Sequence, residues 1–383
     1  MTAVANRQNG EPRLMICAVF LSCRFRYNEK RVASYADVNH QKGTNVPNLN
    51  KNLARAARAL LATATCLSFI SAGAYAADQK TLPEKLVDSF NALSGGPHAG
   101  FRANHAKGVM AAGTFKPTSI AASLSKAPHL QSATVPVMVR FSNGTGVPNL
   151  PDANPNASPH GIAIRFMLPD GASTDIVAIS FNGFPVATPE DFLGLLTSVA
   201  ASGADVPSPK PIEQFLGSHP AALKFVTAPK PAPVSFATLP FFGVNAFKFT
   251  NAQGVSEYGR YQIIPVAGDQ RMSDKAAEAM GPNYLMEEFP ARLAAGPVKF
   301  RLVAQLAKKG DSIADPTSVW PDERSQIDLG EITLTGPVAN ADQVQKITMF
   351  NPLALPDGIG ASEDPVLLAR PGAYAVSYGQ RLK

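Results

Sequence analysis

The chain of 383 residues is long enough for one large or two ordinary domains, and 45% apolar with 17% charged residues is a soluble globular composition. Its formal net charge of +6 is concentrated near the amino terminus, where residues 1–76 hold ten of the 35 basic and three of the 29 acidic residues. The remainder is nearly neutral and has no basic run interleaved with aromatic residues, which argues against a nucleic-acid-binding face.

A secretory signal peptide is predicted over residues 51–76. A basic start at 51–58 is followed by an apolar stretch at 59–72 and by Ala74-Tyr-Ala76, which suits cleavage before Ala77. The apolar stretch is shorter than the roughly 20 residues that span a bilayer, so we interpret it as cleaved rather than as an anchor.

This interpretation sets the expected domain boundaries and location. Residues 1–50 are expected to be misannotated upstream sequence, and residues 77–383 a periplasmic domain with no membrane association after cleavage. The cysteines all precede the cleavage site, at Cys17, Cys23 and Cys66. The mature part would therefore have no disulfide and no thiol that peroxide could oxidise.

The mature chain begins with a predicted helix at 80–93, where apolar residues recur at helical spacing before Gly95-Gly96-Pro97. Short apolar runs separated by Pro and Gly then predict strands. The first four predicted strands are His105–Phe115, Val135–Phe141, Gly161–Met167 and Asp175–Phe181.

An inserted helical region follows these strands. Thr188-Pro-Glu-Asp191 is a helix start, and a Pro-rich helical excursion is expected at Pro207–Pro240. The second set of predicted strands is Asn245–Thr250, Val255–Pro265, Val298–Ala307 and Ile327–Leu334, with a helix at Asn283–Leu293. Eight strands suit a closed antiparallel β-barrel with flanking and inserted helices, an α+β fold, because closure removes exposed edges.

The chain ends in a predicted helix that carries the first chemical signal. Asp364 and Pro365 suit its first turn, although Pro371 lies deeper and could start or bend the helix there. On a helix, Arg370 and Tyr374 share a face. A fixed positive charge favours an ionised phenolate, which can bind ferric iron. The alternative is an amphipathic helix with an ordinary buried tyrosine.

A histidine in the first predicted strand is the second signal. Arg102 lies three positions before His105, which in a strand would place the two side chains on opposite faces. A lone histidine in a strand is more often structural than catalytic. The remaining histidines of the mature chain are interpreted as structural: His98, His129, His160 and His219.

Seven segments, in this order, resemble those of haem catalases, and more closely those of the short catalase-related peroxidases. The resemblance covers about 82–383. The segments are HAKG (105–108), VRFS (139–142), DIVAISFNGFPV (175–186), FKFTNAQG (247–254), SVWP (318–321), FNPLALPDGI (350–359) and R-x-x-x-Y (370–374).

The resemblance implies a haem b cofactor and a role for each matching residue. Tyr374 would ligate the iron and Arg370 would keep it ionised. His105 would be the distal base, Ser142 the hydroxyl that orients it, and Asn182 the amide that binds peroxide. The arginines implied to hold the haem propionates are Arg102, Arg140 and Arg381.

Departures from the family pattern refine the expected function. Asn245 replaces a histidine that supports the proximal arginine, and Asp322 replaces one that helps to hold NADPH, so we expect no NADPH. Gly144 replaces a channel valine and Gly146 adds backbone freedom, which suggests an open channel, while Asn104 would make the distal pocket more polar.

The function implied is a haem peroxidase that reduces hydrogen peroxide or organic hydroperoxides with a small organic electron donor and has weak catalase activity. A haem-binding or storage protein and a fatty-acid hydroperoxide-rearranging enzyme are the alternatives, and a homo-oligomer is left open.

Overall fold

The structure is a computed structural model that describes residues 80–383. The predicted upstream segment (1–50), the signal peptide (51–76) and the cleavage site lie outside the described residues. No helix within 80–383 is long and apolar enough to cross a membrane.

The described residues form ten antiparallel strands. They are β1 (Gly108–Pro117), β2 (Val135–Ser142), β3 (Gly161–Met167), β4 (Ser173–Ile179), β5 (Phe241–Phe242), β6 (Phe247–Thr250), β7 (Ser256–Pro265), β8 (Val298–Leu306), β9 (Gln326–Pro337) and β10 (Ile359–Ala361).

Eight of these strands close a barrel, in the order β7-β5-β4-β3-β2-β1-β9-β8, with β8 pairing back to β7. β6 pairs with the amino-terminal part of β7, along the same edge of β7 to which β5 pairs nearer the carboxyl end. β10 pairs with the other edge of β6. The predicted closed eight-stranded barrel is confirmed, although β5 takes the place in it that was expected for the strand at Asn245–Thr250, which corresponds to β6. The two-residue strand β5 was missed because a run that short has no readable periodicity.

The helices surround the barrel and fill the predicted insertion. They are α1 (Leu82–Ser94), α2 (Ala121–Leu124), α3 (Pro189–Ala200), α4 (Pro211–Ser218), α5 (Pro220–Thr227), α6 (Asp274–Glu278), α7 (Tyr284–Ala295), α8 (Ala341–Ile347) and α9 (Pro365–Leu382).

α9 begins where its capping signals predict. The Asp364 carboxylate accepts from the backbone N–H groups of Val366 (2.9 Å) and Leu367 (3.2 Å), and Pro365 occupies a first-turn position that needs no N–H partner. The helix neither starts nor ends at Pro371, which lies inside it.

The barrel wall separates the hydrophobic core from a cavity. Val137, Val139 and Phe141 of β2 are at most 2% exposed and belong to the core, whereas Arg140 and Ser142 line the cavity. Because successive strand residues point to opposite faces, the cavity lies outside the barrel wall. Phe141 contacts several rings inside, namely those of Phe236, Phe241, Phe289 and Phe300.

One prediction about the first strand was wrong. β1 begins at Gly108, so His105 lies in the preceding irregular segment, with a φ of 56°. This left-handed conformation is uncommon for a residue with a side chain. The expected placement of Arg102 and His105 on opposite faces therefore fails, and both line the same cavity. Lys107, the last residue of this segment, pairs with the buried Asp152 at 2.6 Å.

Candidate active site

A cavity of about 260 Å³ lies between the outer face of β2–β4 and the helices α1, α3 and α9. Most of its wall is apolar, and the polar side chains gather at a few points. Seven of the eight site residues expected from the sequence line it: Arg102, His105, Arg140, Ser142, Arg370, Tyr374 and Arg381.

The proximal pair lies on α9. The Nε of Arg370 donates to the phenolic oxygen of Tyr374 at 3.0 Å, and the guanidinium carbon lies 5.6 Å from the ring centroid. A hydrogen bond from a fixed cation stabilises the phenolate relative to the phenol. The one-turn spacing of the two residues produces the arrangement expected from the sequence.

Asn245 connects this pair to Asp364 through a buried chain of hydrogen bonds. Its side-chain oxygen accepts from Arg370 Nη1 at 2.7 Å, and its Nδ2 donates to Asp364 at 2.7 Å. Asn245 is 2% exposed and Asp364 is fully buried. Burial raises the pKa of Asp364, which the amide of Asn245 and the helix N–H groups partly oppose. The amide thus joins the arginine to its acidic partner at the position where the resemblance leads one to expect a histidine.

The distal pair is His105 and Ser142. The Nδ1 of His105 lies 3.1 Å from the hydroxyl oxygen of Ser142, which ends β2. Gly161 makes room for the pair, because a Cβ at that position would lie 2.8 Å from Nδ1 and 2.9 Å from the hydroxyl oxygen. The imidazole therefore lies directly on the backbone of β3.

His105 is held neutral by its surroundings. Burial and then the nearby positive charge of Arg140 lower its pKa to about 4, although a backbone hydrogen bond with Asn143 partly opposes this shift. A neutral imidazole at ordinary pH can accept a proton, which is what a general base requires.

Three arginines gather at one end of the cavity around the segment that follows α8. Arg102 and Arg381 both donate to the carbonyl of Thr348 at 2.9 Å, and Arg140 donates to the side-chain oxygen of Gln345 at 2.9 Å. These contacts fix the guanidinium groups in space and supply only neutral acceptors.

The cluster has no acidic partner in the part of the chain that the structure describes. Burial and then the repulsion of its neighbours lower the pKa of Arg102 to about 7 and that of Arg140 to about 9, and burial also lowers the pKa of Arg381. Anions bound at this cluster would stabilise the charged form of the three guanidinium groups.

These residues fit a haem. The arginine cluster would bind the two propionates, the apolar walls suit a porphyrin face, and Tyr374 would offer its phenolic oxygen to the iron. His105 and Ser142 line the same cavity and would face the peroxide.

Asn182 is the expected site residue that the structure does not bring to the cavity. β4 ends at Ile179, and Asn182 lies in the loop that follows, whereas Ile179 and Phe184 line the cavity. The role of Asn182 in binding peroxide therefore stays a prediction without geometric support.

The open-channel argument from two glycines was wrong. A Cβ on Gly144 would overlap the carbonyl oxygen of Pro159, and one on Gly146 would overlap the carbonyl of Ala103. Neither glycine lines the cavity. Both are places where backbones pack closely, so a valine at Gly144 would collide with the chain rather than narrow a channel.

Two functional features were missed by sequence reasoning. Gly161 was seen only as the first residue of a strand, although an unsubstituted residue opposite Ser142 could have indicated a close approach. The carbonyl of Thr348 carries no sequence signal, because any residue supplies one.

Comparison with known proteins gives a consistent set of similarities. A family model described as Catalase matches residues 99–383. The chain is 36% identical over 298 residues to a protein named catalase-related peroxidase from Mycolicibacterium paratuberculosis, across 77% of this chain and 93% of that protein. It is 32% identical over 292 residues to a protein of the same name from Synechococcus elongatus, across 75% and 85%.

A solved structure described as that of a bacterial catalase matches with a TM-score of 0.65 at 23% identity. The match covers 74% of this chain and 58% of that chain, and it establishes the fold alone.

Proposed function

The chain belongs to the catalase family, and from that premise we propose that it is a haem b peroxidase that reduces hydrogen peroxide or organic hydroperoxides with a small organic electron donor and has weak catalase activity. The observation that carries this proposal is that the Arg370–Tyr374 pair and the His105–Ser142 pair line one cavity. The names of the two bacterial relatives support the peroxidase class.

The proximal residues would hold the cofactor. Tyr374 would bind the iron as a phenolate, with Arg370 donating to its oxygen, and the arginine cluster would bind the propionates. When bound, haem supplies the redox centre through which electrons pass from the donor to peroxide.

The distal residues would move protons. Neutral His105 would take a proton from one peroxide oxygen and deliver it to the other. That second oxygen leaves as water from hydrogen peroxide, or as an alcohol from an organic hydroperoxide. The Ser142 hydroxyl holds Nδ1, so Nε2 is the ring nitrogen that exchanges the proton. Two electrons from the donor and two protons reduce one hydrogen peroxide to two waters.

The experiment that tests this proposal is rapid mixing of the haem-loaded protein with each peroxide, followed at the Soret band. We expect His105→Ala to slow the peroxide-induced change by about 10²-fold or more, the scale of general acid–base loss. Tyr374→Phe should change the ferric spectrum. An unchanged rate in His105→Ala would favour a haem-binding or storage protein instead.

Product analysis separates the remaining alternative. A peroxidase converts an organic hydroperoxide to its alcohol while oxidising one equivalent of a two-electron donor. A rearranging enzyme would consume a fatty-acid hydroperoxide without consuming donor, and its product would be an isomer of the hydroperoxide or an epoxide formed with loss of one water, not the alcohol.

We also propose that the mature protein is exported to the periplasm after cleavage near Ala77. The basic, apolar and small-residue parts of 51–76 support this location. Mass spectrometry of the native protein should find an amino terminus near Ala77, whereas one upstream of Lys51 would contradict export.

A further inference from the structure

The barrel register identifies the residue beside the distal pair. Ser142 of β2 faces Gly161 of β3, and Gly161 faces Ile179 of β4. Directly opposite residues in antiparallel strands point to the same face, with Cβ atoms about 4.5–5.5 Å apart. A Cβ atom on Gly161 would lie 2.8 Å from Nδ1 of His105. Ile179 is therefore the next side chain along the row on which His105 rests.

Ile179 faces the cavity rather than the core. It is a large apolar residue that is only partly buried, and it lines the cavity together with Val177, which lies two residues earlier on the same face. The alternate residues of this strand, Ile176 and Ala178, are buried in the barrel core, although Ala178 also borders the cavity. The wall beside His105 on β4 is thus aliphatic.

Asn182 lies in the loop beyond the end of β4 and does not line the cavity. Asn104 does line it and precedes His105 in the chain. The cavity wall near His105 therefore includes a polar side chain from the preceding residue, Asn104, and aliphatic side chains from β4.

We propose that Ile179 determines which peroxide the site prefers. Its side chain makes dispersion contacts with the alkyl or aryl group of an organic hydroperoxide and offers no hydrogen bond to the second hydrogen of hydrogen peroxide. The site consequently favours organic hydroperoxides and disfavours dismutation. This inference rests on the proposed peroxidase function and names the residue that sets its substrate class.

Dismutation of hydrogen peroxide depends more strongly on polar groups in this wall than reduction of an organic hydroperoxide does. A second hydrogen peroxide must give up two electrons and two protons and leave as dioxygen, so that two hydrogen peroxides yield two waters and one dioxygen. Holding a molecule that small depends on hydrogen bonds, because it has no apolar surface to bury. An organic hydroperoxide, by contrast, gains binding energy from each carbon that contacts Ile179.

The test uses substitutions at one position. Ile179→Asn adds an amide beside His105, Ile179→Ala removes apolar contact without adding a polar group, and Ile179→Val is the conservative control. The rate constant of the peroxide-induced Soret change is measured with hydrogen peroxide and with cumene hydroperoxide, and oxygen evolution is measured separately.

We expect Ile179→Asn to raise the ratio of the hydrogen peroxide rate to the cumene hydroperoxide rate by about tenfold, the scale of one altered contact in a pocket. Its oxygen evolution should also increase. Ile179→Ala should slow only the reaction with cumene hydroperoxide, and Ile179→Val should stay near wild type. An unchanged ratio in both Ile179→Asn and Ile179→Ala would overturn the proposal, as would a lower ratio in Asn182→Ala.

A second measurement, the C–O stretching frequency of bound carbon monoxide, does not depend on catalytic turnover. In the reduced protein with carbon monoxide bound, an amide at position 179 should lower the C–O stretching frequency by donating a hydrogen bond, and Ile179→Val should leave the frequency unchanged. No shift in Ile179→Asn would show that residue 179 does not reach the distal ligand. If wild type binds haem but responds to neither peroxide, the peroxidase function fails, while this measurement still tests the position of residue 179.

Discussion

At the scale of single residues, the distal site depends on Gly161, which has no Cβ atom. Gly161→Ala would place a methyl group 2.8 Å from Nδ1 of His105 and 2.9 Å from the Ser142 hydroxyl. The imidazole must then move, and a displacement of about 1 Å costs on the order of 10²-fold in rate. We expect the rate with hydrogen peroxide to fall by 10- to 100-fold while haem content is retained.

The matched control for this substitution is Gly217→Ala. Gly217 lies in α4, and a Cβ there would have nothing within 4 Å. Its peroxide rate should equal that of wild type. Equal rates in both alanine variants would show that His105 does not lie against Gly161 in solution.

The protonation of His105 predicts the pH dependence of the reaction. Its pKa is lowered to about 4, so the neutral base is present at all higher pH values and is lost as the pH falls through about 4. The rate constant with hydrogen peroxide should be flat from pH 8 to about 5 and should fall tenfold per unit below about 4. Stopped-flow measurements across this range check it, and an acid limb near 6.5 would contradict the lowered pKa.

At the scale of elements, one buried ion pair fixes the segment that carries His105. Lys107 pairs with Asp152 at 2.6 Å and also donates to the carbonyl oxygen atoms of Leu150 and Pro282. Breaking a buried pair by removing one partner costs about 3–5 kcal/mol. Lys107→Met should therefore lower the free energy of unfolding by about that amount, measured by urea denaturation.

An exposed ion pair provides the comparison. Lys299 and Glu331 pair at 2.8 Å across β8 and β9, with side chains 42% and 41% exposed. Surface pairs contribute about 0–1 kcal/mol, so Lys299→Met should change the unfolding free energy by less than about 1 kcal/mol. Similar losses in the two variants would mean that Lys107 does not hold the segment.

At the scale of the whole molecule, the arginine cluster links stability to haem. Arg102, Arg140 and Arg381 repel one another in the protein alone, and anionic propionates would relieve that repulsion. Arg102→Gln should leave the haem-free protein at least as heat-stable as wild type. The haem-loaded form should release its haem about tenfold faster or more, because a charge-assisted hydrogen bond is lost.

Thermal unfolding with and without haem, together with transfer of haem to an excess of an acceptor protein, measures both effects. Arg301→Gln is the control, because Arg301 lies on β8 with its side chain 52% exposed and pairs with Asp328. Its haem release should match wild type. A destabilised haem-free Arg102→Gln protein would show that the cluster is not strained.

Local patterns were sufficient for much of the architecture. Short apolar runs separated by Pro and Gly predicted the principal strands, with Gly161–Met167 correct at both ends, and Asp364 with Pro365 predicted the start of α9. These features depend on neighbouring residues, whose periodicity and capping are visible along the chain. The one-turn spacing of Arg370 and Tyr374 likewise needed no tertiary information.

Tertiary contacts decided the details of the distal site. The sequence by itself determined that His105 and Ser142 belong to motifs with a recognisable order. Only a contact across 175 residues, between Lys107 and Pro282, shows what anchors the segment that follows His105. Only strand register shows that Ile179 lies opposite Gly161, against which His105 packs. Such contacts join residues far apart in sequence, and one chain read alone carries no local signal for which distant partner a side chain will find.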